Sequence, residues 1–340
     1  MIVVTGATGH VGNVLVRSLV AQGATGVRAL VGPSGQTASL AGLDVETVEA
    51  DVRDCESLVR VFRGAEVVYH VAGIVSIETT GLERLRVANV EGTRNVLAAC
   101  REAGVGRLVY TSSVHALVEP PHGTCLDENF SIDPEGVRGP YARTKAEATR
   151  LVLAAAQEGL DTVVVFPSGI IGPYDFRLSY TGKFIRDCAR GRFKVYVDGA
   201  YNFVDVRDVV QGVMAAAEKG RRGEGYLLAG HEISVVDLVH TIETIAGAPA
   251  PRWRLPFGFT RAVSPVRPAY YRIRRQQPLF TTYSLDVIAS NCFMSSEKAE
   301  RELGYHPRPL RDTLEDAIGW YGQAEKQASS EWLRLPTERS

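Results

Sequence analysis

Three observations predict a doubly wound α/β fold for this 340-residue chain. Short Val-rich runs alternate with amphipathic stretches through its first two-thirds. The runs are apolar on both faces, as strands of a buried parallel sheet are. The first of them passes through a glycine-rich turn into the first amphipathic stretch, the start of a βαβ series. Ile2–Thr5, Val27–Val31, Val45–Glu49, Val67–His70, Leu108–Thr111 and Thr162–Phe166 read as strands. Segments 10–22, 54–62, 82–103 and 139–157 read as the helices between them. The last third is richer in Pro and Arg and reads as irregular up to residue 295. Segments 295–303 and 311–325 then have helical patterning, with Pro307 and Pro309 separating them. From 326 the tail is polar and is expected to fray.

Composition sets the outer limits. The length suits one large domain or two modest ones with a sizeable core. Apolar residues make up 45% and charged residues 23%, the balance of an ordinary globular protein. A formal net charge of -1 gives the whole molecule no reason to seek nucleic acid or an anionic membrane. Cys55, Cys100, Cys125, Cys188 and Cys292 are odd in number and form no CxxC pair. That pattern suggests neither a disulfide framework nor a metal site, and fits reduced thiols in a cytosol. No apolar run reaches the roughly 18 residues of a membrane span. Met1 leads directly into the first strand without the features of a signal peptide. A cytoplasmic protein with no integral membrane segment and no nucleic-acid partner is expected.

The first turn reads Gly6-Ala7-Thr8-Gly9-His10-Val11-Gly12. One glycine permits a tight turn, a second lets the backbone approach a pyrophosphate, and a third allows close helix–strand packing. The helix that follows offers free N–H groups and a positive dipole end. The spacing is GxxGxxG rather than GxGxxG. Its place at the first strand–helix junction is what points to a dinucleotide.

With Thr5 included, this segment resembles the fingerprint of the extended short-chain dehydrogenase/reductase superfamily, of the NAD-dependent epimerase/dehydratase type. The resemblance continues, in order, through Asp51-Val52, Val71-Ala72-Gly73, Asn89-Val90-Glu91-Gly92-Thr93 and Thr111-Ser112-Ser113. Tyr141-Ala142-Arg143-Thr144-Lys145, Pro167-Ser168-Gly169-Ile170-Ile171-Gly172-Pro173 and the segment from Asn202 to Val209 complete it, over residues 1–325. The ending, Pro278 to Tyr283 and Ala299 to Tyr305, is similar to bacterial proteins grouped with dihydroflavonol 4-reductases and 3β-hydroxysteroid dehydrogenases. It is also similar to sugar epimerases associated with hopanoid synthesis. The resemblance implies a Rossmann-type sheet over 1–170, with 201–220 returning to it. It implies a smaller C-terminal α+β substrate-binding domain from 171–200 and 221–325, and a flexible tail at 326–340. The dinucleotide would be held by Gly6, Thr8, Gly9, His10, Val11, Gly12, Asp51, Val52, Val71, Ala72, Gly73, Tyr141, Lys145, Pro167 and Ile170. Two copies would dimerise through the helices at 82–103 and 139–157.

Tyr141 and Lys145 stand one helical turn apart, on one face. A phenol titrates near 10 and needs tuning to act as an acid–base at neutral pH. A lysine cation one turn away, with an oxidised nicotinamide, favours the phenolate. Tyr141 can then exchange a proton with an alcohol or a carbonyl while the cofactor carries the hydride. The resemblance adds a hydrogen bond from Lys145 to the nicotinamide ribose. Ser112 and Ser113 follow a strand end, where such sheets bind ligands, and a hydroxyl there can steady a substrate oxygen. The family pattern matches Ser113 to the catalytic serine and Ser112 to its neighbour; the alternative is two turn serines capping backbone groups. Asn89 is expected to support the site from its helix. His70 is expected beside the cofactor without a catalytic role, and His115 and His122 in loops near the mouth. Asp127/Glu128 and Asp205/Asp208 resemble neither a metal site nor a glycosidase pair; Asp205 and Asp208 are expected to cap the next helix.

The cofactor is expected to be NAD(P)(H). The second strand ends Val31-Gly32-Pro33-Ser34. It carries neither the acid that would bind the ribose 2′-hydroxyl of NAD nor the arginine that would pair with the 2′-phosphate of NADP. Dihydroflavonol reductase-like relatives often carry Arg at the position of Gly32, and Arg28 lies inside the strand. NAD is favoured because no phosphate clamp is visible. The substrate is a small molecule. The leading function is interconversion of a hydrophobic secondary alcohol and ketone of dihydroflavonol or steroid type. The alternative is a sugar-nucleotide epimerase with tightly bound NAD. Val114-His115 stands where a dehydratase of this superfamily carries Asp-Glu, and the presence of both Tyr141 and Lys145 argues against a non-enzymatic dinucleotide sensor. Thr181–Phe184 and Tyr201–Phe203 are expected pocket walls. Residues 252–275 hold seven arginines and no acid, interleaved with Trp253, Phe257, Phe259, Tyr270 and Tyr271. Such a stretch suits a lipid-facing surface, a phosphate-binding strip or a solvated helix.

Overall fold

A computed structural model of the chain describes residues 1–33, 35, 37–76, 81–249, 251–258, 260 and 282–327. Seven strands form one wholly parallel sheet: β1 (Ile2–Thr5), β2 (Val27–Val31), β3 (Glu46–Glu49), β4 (Val67–His70), β5 (Arg107–Thr111), β6 (Thr162–Pro167) and β10 (Gly225–Leu228). Their order is β10-β6-β5-β4-β1-β2-β3. Parallel neighbours need crossover connections, which place helices on both faces. α1 (His10–Ala21) and α7 (Val206–Lys219) cover one face; α2 (Cys55–Phe62), α4 (Gly92–Ala103) and α5 (Pro140–Gln157) cover the other. Adjacent Val3 and Val4 are fully buried in these two opposite cores. That double burial is why the strand runs show no polar alternation. The strand order reverses between β1 and β4, so a crevice opens beyond their C-terminal ends, the place where such sheets bind ligands.

The helix expected over 82–103 is α3 (Leu82–Arg86) and α4 joined through a π turn at Val87–Glu91. A single inserted residue of this kind is a common device at functional sites, and Asn89 lies in it. The six strands read from the sequence gain a seventh. β10 falls in the segment assigned to the substrate-binding part, yet it pairs with β6 and buries Tyr226, Leu227 and Leu228. Gly225 obscures its pattern and is required there: a Cβ would lie 2.5 Å from the Phe166 ring.

The region expected to be irregular is also more regular than its composition suggests. After β7 (Gly169–Ile171), α6 (Tyr180–Ala189), β8 (Val195–Val197) and β9 (Ala200–Asp205) come β11 (His231–Ser234), α8 (Val235–Ala246) and β12 (Trp253–Leu255). Ser234 caps α8 by accepting from the Asp237 N–H, and Leu238, Val239 and Ile242 form its buried face. β11, β9 and β7 make a small second sheet. α6, α8 and the helix Leu310–Gln327 enclose a third core around Ile185, Leu238, Ile242 and Leu314. Asp205 caps α7 by accepting from the Arg207 N–H, as expected. Asp208 does not cap it; its carboxylate instead accepts from the backbone N–H and guanidinium of Arg308.

Of the Arg-rich stretch, Trp253–Leu255 is a strand paired with β8, so that part is not helical; residues 259 and 261–275 lie outside the described residues, as do 278–281 and 328–340. All five cysteines are free. Among the described residues no His/Cys/Asp/Glu group could hold a metal, and no helix is long and apolar enough to cross a membrane.

Gly230 carries the chain from β10 to β11 directly beneath β9, where a Cβ would stand 2.0 Å from the Phe203 carbonyl oxygen. Gly230→Ala should therefore lower stability in urea unfolding by more than about 2 kcal/mol. Gly32, with open space around it, should tolerate alanine within about 0.5 kcal/mol. An undiminished Gly230→Ala protein would contradict this packing.

Candidate active site

The glycine turn and the end of β4 form one wall. Gly6 has φ +70°, and a Cβ on it would lie 2.8 Å from the backbone N and Cα of Ala72. A Cβ on Gly12 would lie 2.2 Å from the Gly6 carbonyl oxygen. Both positions therefore exclude any side chain. The Gly9 N–H donates to the Gly6 carbonyl (2.9 Å) and closes the turn. No side chain caps α1 and no acid stands in its first turn, so its amides and positive dipole end face the crevice. This cradle fits the diphosphate of a dinucleotide, which needs close backbone approach and free N–H donors.

Behind the wall runs a hydrogen-bond chain whose polarity can be deduced. Thr93 Oγ1 donates to the Asn89 carbonyl (2.6 Å), so it accepts from His70 Nε2 (3.0 Å). His70 Nδ1 then accepts from Thr5 Oγ1 (2.9 Å), which itself accepts from the Val71 and Ala72 N–H groups (both 3.2 Å). Burial, helped by the neighbouring Lys145, pushes the His70 pKa down to about 3 and keeps the ring neutral. His70 is a strut between β1, β4 and α4. Asn89 completes the brace: its Oδ1 accepts from the Ile74 N–H (2.7 Å), and its Nδ2 donates to the Ile74 carbonyl (3.0 Å) and to Thr144 Oγ1 (3.1 Å).

α5 brings Tyr141 and Lys145 to the ends of β4 and β5. Lys145 is buried, and its Nζ donates to the Thr111 carbonyl (2.7 Å) and lies 4.5 Å above the Tyr110 ring. Burial pushes its pKa down to about 7. Burial pushes the Tyr141 phenol up to about 12, against a hydrogen bond with Ser113 that lowers it. Ser113 Oγ also accepts from the His115 N–H (3.3 Å). Ser112 is committed elsewhere. Thr149 Oγ1 donates to the Lys145 carbonyl (2.6 Å), so the Ser112 hydroxyl donates to Thr149 (2.7 Å). The geometry thus separates two adjacent serines: one faces Tyr141, the other braces α5.

A pocket of about 130 Å³ adjoins this group, with Val114, Leu117, Val137, Ala142 and Met294 on its apolar side and Glu119, Arg138 and Asn291 on its polar side. His115 lines it too, edge-on to Tyr141 with ring centroids 6.4 Å apart and with Nε2 2.8 Å from the Tyr201 hydroxyl. Burial pushes His115 down to about 4. Gly169 allows the arrangement, since a Cβ there would be 2.4 Å from the Tyr201 ring. His122 is exposed and outside the pocket. Of the expected walls only Tyr201 lines it: Phe184 stacks on Phe193, and Asn202 Oδ1 accepts from the Gly230 N–H.

The remaining expected positions divide. Pro167 ends β6, and Ile170 sits partly buried in β7. His10 Nε2 lies 2.8 Å from the Pro173 carbonyl, and Val11 packs partly into the core. Asp51 accepts from the Arg53 guanidinium, which holds its pKa down, and Val52 lies against Gly92. Arg28 is engaged by Glu46 (2.8 Å) and the Val61 carbonyl (2.6 Å). Glu128 accepts from the Leu227 N–H of edge strand β10 (2.6 Å), a structural use. Thr149, Glu119, Arg138, Asn291 and Arg177 escape a reading of the sequence, because none stands at a spacing that carries meaning on its own; Thr93 lies in a motif of the family resemblance, but its bond to His70 is tertiary.

A family model described as the NAD dependent epimerase/dehydratase family matches residues 2–229. Sterol demethylase protein B of Methylococcus capsulatus is 38% identical over 320 residues, 94% of this chain and 97% of that protein. A putative dihydroflavonol 4-reductase of Synechocystis sp. is 35% identical over 322 residues, 94% of this chain and 93% of that protein. The solved structure of gox2253 aligns with a TM-score of 0.84 at 36% identity, covering 95% of this chain and 98% of that one.

The neutral histidines have a pH consequence. Both are held well below the ordinary value of about 6.5, His115 at about 4. Below that ordinary value the unfolded chain binds protons that the folded chain does not, so stability falls as pH drops from about 6.5 toward 4. His115→Phe should make this fall shallower in urea unfolding across the range. An unchanged slope would contradict a neutral His115.

Proposed function

The chain belongs to the NAD-dependent epimerase/dehydratase family, and from that premise we propose that it interconverts a secondary alcohol and a ketone on a hydrophobic, ring-containing substrate. The observation that carries this reading is the buried Lys145, fixed on the Thr111 carbonyl one helical turn from Tyr141, with His115 edge-on to the Tyr141 ring and lining a pocket of mixed apolar and polar character. The two curated relatives are named for a sterol and for a dihydroflavonol, which supports a ring-containing substrate.

In this reading Ser113 donates its hydroxyl proton to the substrate oxygen and fixes it beside Tyr141. In the reducing direction the Tyr141 phenol passes its proton to the developing alkoxide. Its raised pKa keeps it in the protonated form that this step consumes. In the oxidising direction the phenolate takes the hydroxyl proton. The Lys145 ammonium, held by the Thr111 carbonyl, steadies that phenolate. The bound nicotinamide supplies or accepts the hydride. Gly6, Thr8, Gly9, His10, Val11 and Gly12 would hold the diphosphate, with Val71, Ala72 and Gly73 as the facing wall. Asp51 and Val52 would flank the adenine, and Pro167 and Ile170 the nicotinamide. The same reading pairs two copies through the helical segments 82–103 and 139–157.

NAD over NADP follows from the end of β2. Gly32 has open space around it and Arg28 is engaged by Glu46, so neither offers a partner to a 2′-phosphate. Gly32→Arg should raise the affinity for NADPH relative to NADH by about tenfold; an unchanged ratio would show that the preference is set elsewhere. Tyr141→Phe should keep the fold and dinucleotide binding but lower turnover by about 10²–10⁴-fold. Near-parent turnover in that variant would overturn the mechanism.

A further inference from the structure

We propose that Arg177 is a diphosphate-binding residue of the dinucleotide site, a cation delivered to the glycine turn from the connection between β7 and α6. The proposal rests on the dinucleotide reading above. The turn from Gly6 to Gly12 contains no Lys or Arg. Its only titratable side chain, His10, is occupied by the Pro173 carbonyl at 2.8 Å. Backbone amides and the α1 dipole alone would face a ligand carrying two negative charges.

Arg177 supplies the missing charge. Its Nη2 donates to Thr8 Oγ1 at 2.7 Å, inside the turn and 169 residues away in sequence. Thr8 is a neutral hydroxyl, and among the described residues Arg177 has no carboxylate partner. The one acid in its loop, Asp175, is buried and accepts from the Ser179 N–H (2.8 Å) and hydroxyl (2.7 Å). The full guanidinium charge and its remaining N–H donors are therefore available to phosphate oxygens, which arginine matches with paired hydrogen bonds.

The loop that carries Arg177 is tied to α1. The Arg17 guanidinium lies 5.0 Å over the Tyr174 ring and 5.6 Å over that of Phe176. Arg17 is itself fixed by Asn13 Oδ1 and the Ser39 carbonyl, both at 2.8 Å. Tyr174 (φ 66°) and Leu178 (φ 51°) hold left-handed backbone on either side of Arg177. The cation is thus presented by a loop held in place on the helix whose N-terminus receives the diphosphate.

The test is titration of NADH and of ADP-ribose into the parent protein, Arg177→Ala and Arg177→Lys at several salt concentrations. Arg177→Ala should bind both ligands at least about tenfold more weakly and show a shallower loss of affinity with salt. Arg177→Lys should recover part of the affinity, and the melting temperature of the ligand-free variants should match the parent. Undiminished NADH binding by Arg177→Ala, or weakened binding with the parent's salt dependence, would overturn this proposal alone. A parent protein that binds neither ligand would overturn the dinucleotide reading with it.

Discussion

Gly6 and Ala72 meet more closely than any side chain would permit, and the site is built outward from that contact. At 2.8 Å from a would-be Cβ to backbone, it admits no side chain, and it brings the turn after β1 against the chain leaving β4. That closeness lets a single hydroxyl, Thr5 Oγ1, receive the N–H groups of both Val71 and Ala72 and also donate to His70. From His70 the chain of bonds passes through Thr93 and the Asn89 carbonyl into the π turn. From the Asn89 side chain it reaches Thr144 in α5, the residue before Lys145. The glycine turn and α5 are therefore braced by one continuous buried network, of the kind that rigidifies when every member is satisfied.

The electrostatics of the site follow from burial. An ammonium, a phenol and two imidazoles are drawn out of water around the ends of β4 and β5, and each is driven toward its neutral form. Lys145 meets that pressure with a carbonyl and an aromatic face. Tyr141 meets it with Ser113. Burial thus holds the Tyr141 phenol protonated and Lys145 near its neutral point; the protein's own groups do not shift Tyr141 toward the phenolate as the Tyr–Lys spacing predicts. The imidazoles do different work: His70 braces the cradle, and His115 with Tyr201 shapes the pocket wall.

Much of this was legible in the sequence where chemistry is tied to backbone spacing. Gly6, Gly9 and Gly12 announced a turn that must exclude side chains, and Tyr141 and Lys145 announced one face of one helix. Val-rich runs marked six of the seven parallel strands. β10 escaped because Gly225 opens it, for the sake of the Phe166 ring. α8 escaped because its first residues, Val235 and Val236, are β-branched and read equally well as strand. Ser112 and Ser113 were distinguished only by resemblance to a family; the physical reason, Thr149 claiming one of them, is tertiary. Arg177 could not be found at all, since an arginine in a loop has no spacing to betray its partner 169 residues away.

A reductase of the proposed kind consumes and exchanges its cofactor, whereas an epimerase holds and recycles it. Denaturing the purified protein, identifying any released dinucleotide by mass, and following exchange of added NADH into the native protein tests this difference most directly. Alcohol–ketone interconversion requires a protein that is empty or partly loaded, takes up NADH reversibly, and transfers deuterium from labelled NADH to the carbinol carbon of a ring-containing ketone. A full complement of NAD that added NADH does not displace would contradict it, and would favour a sugar-nucleotide epimerase in its place.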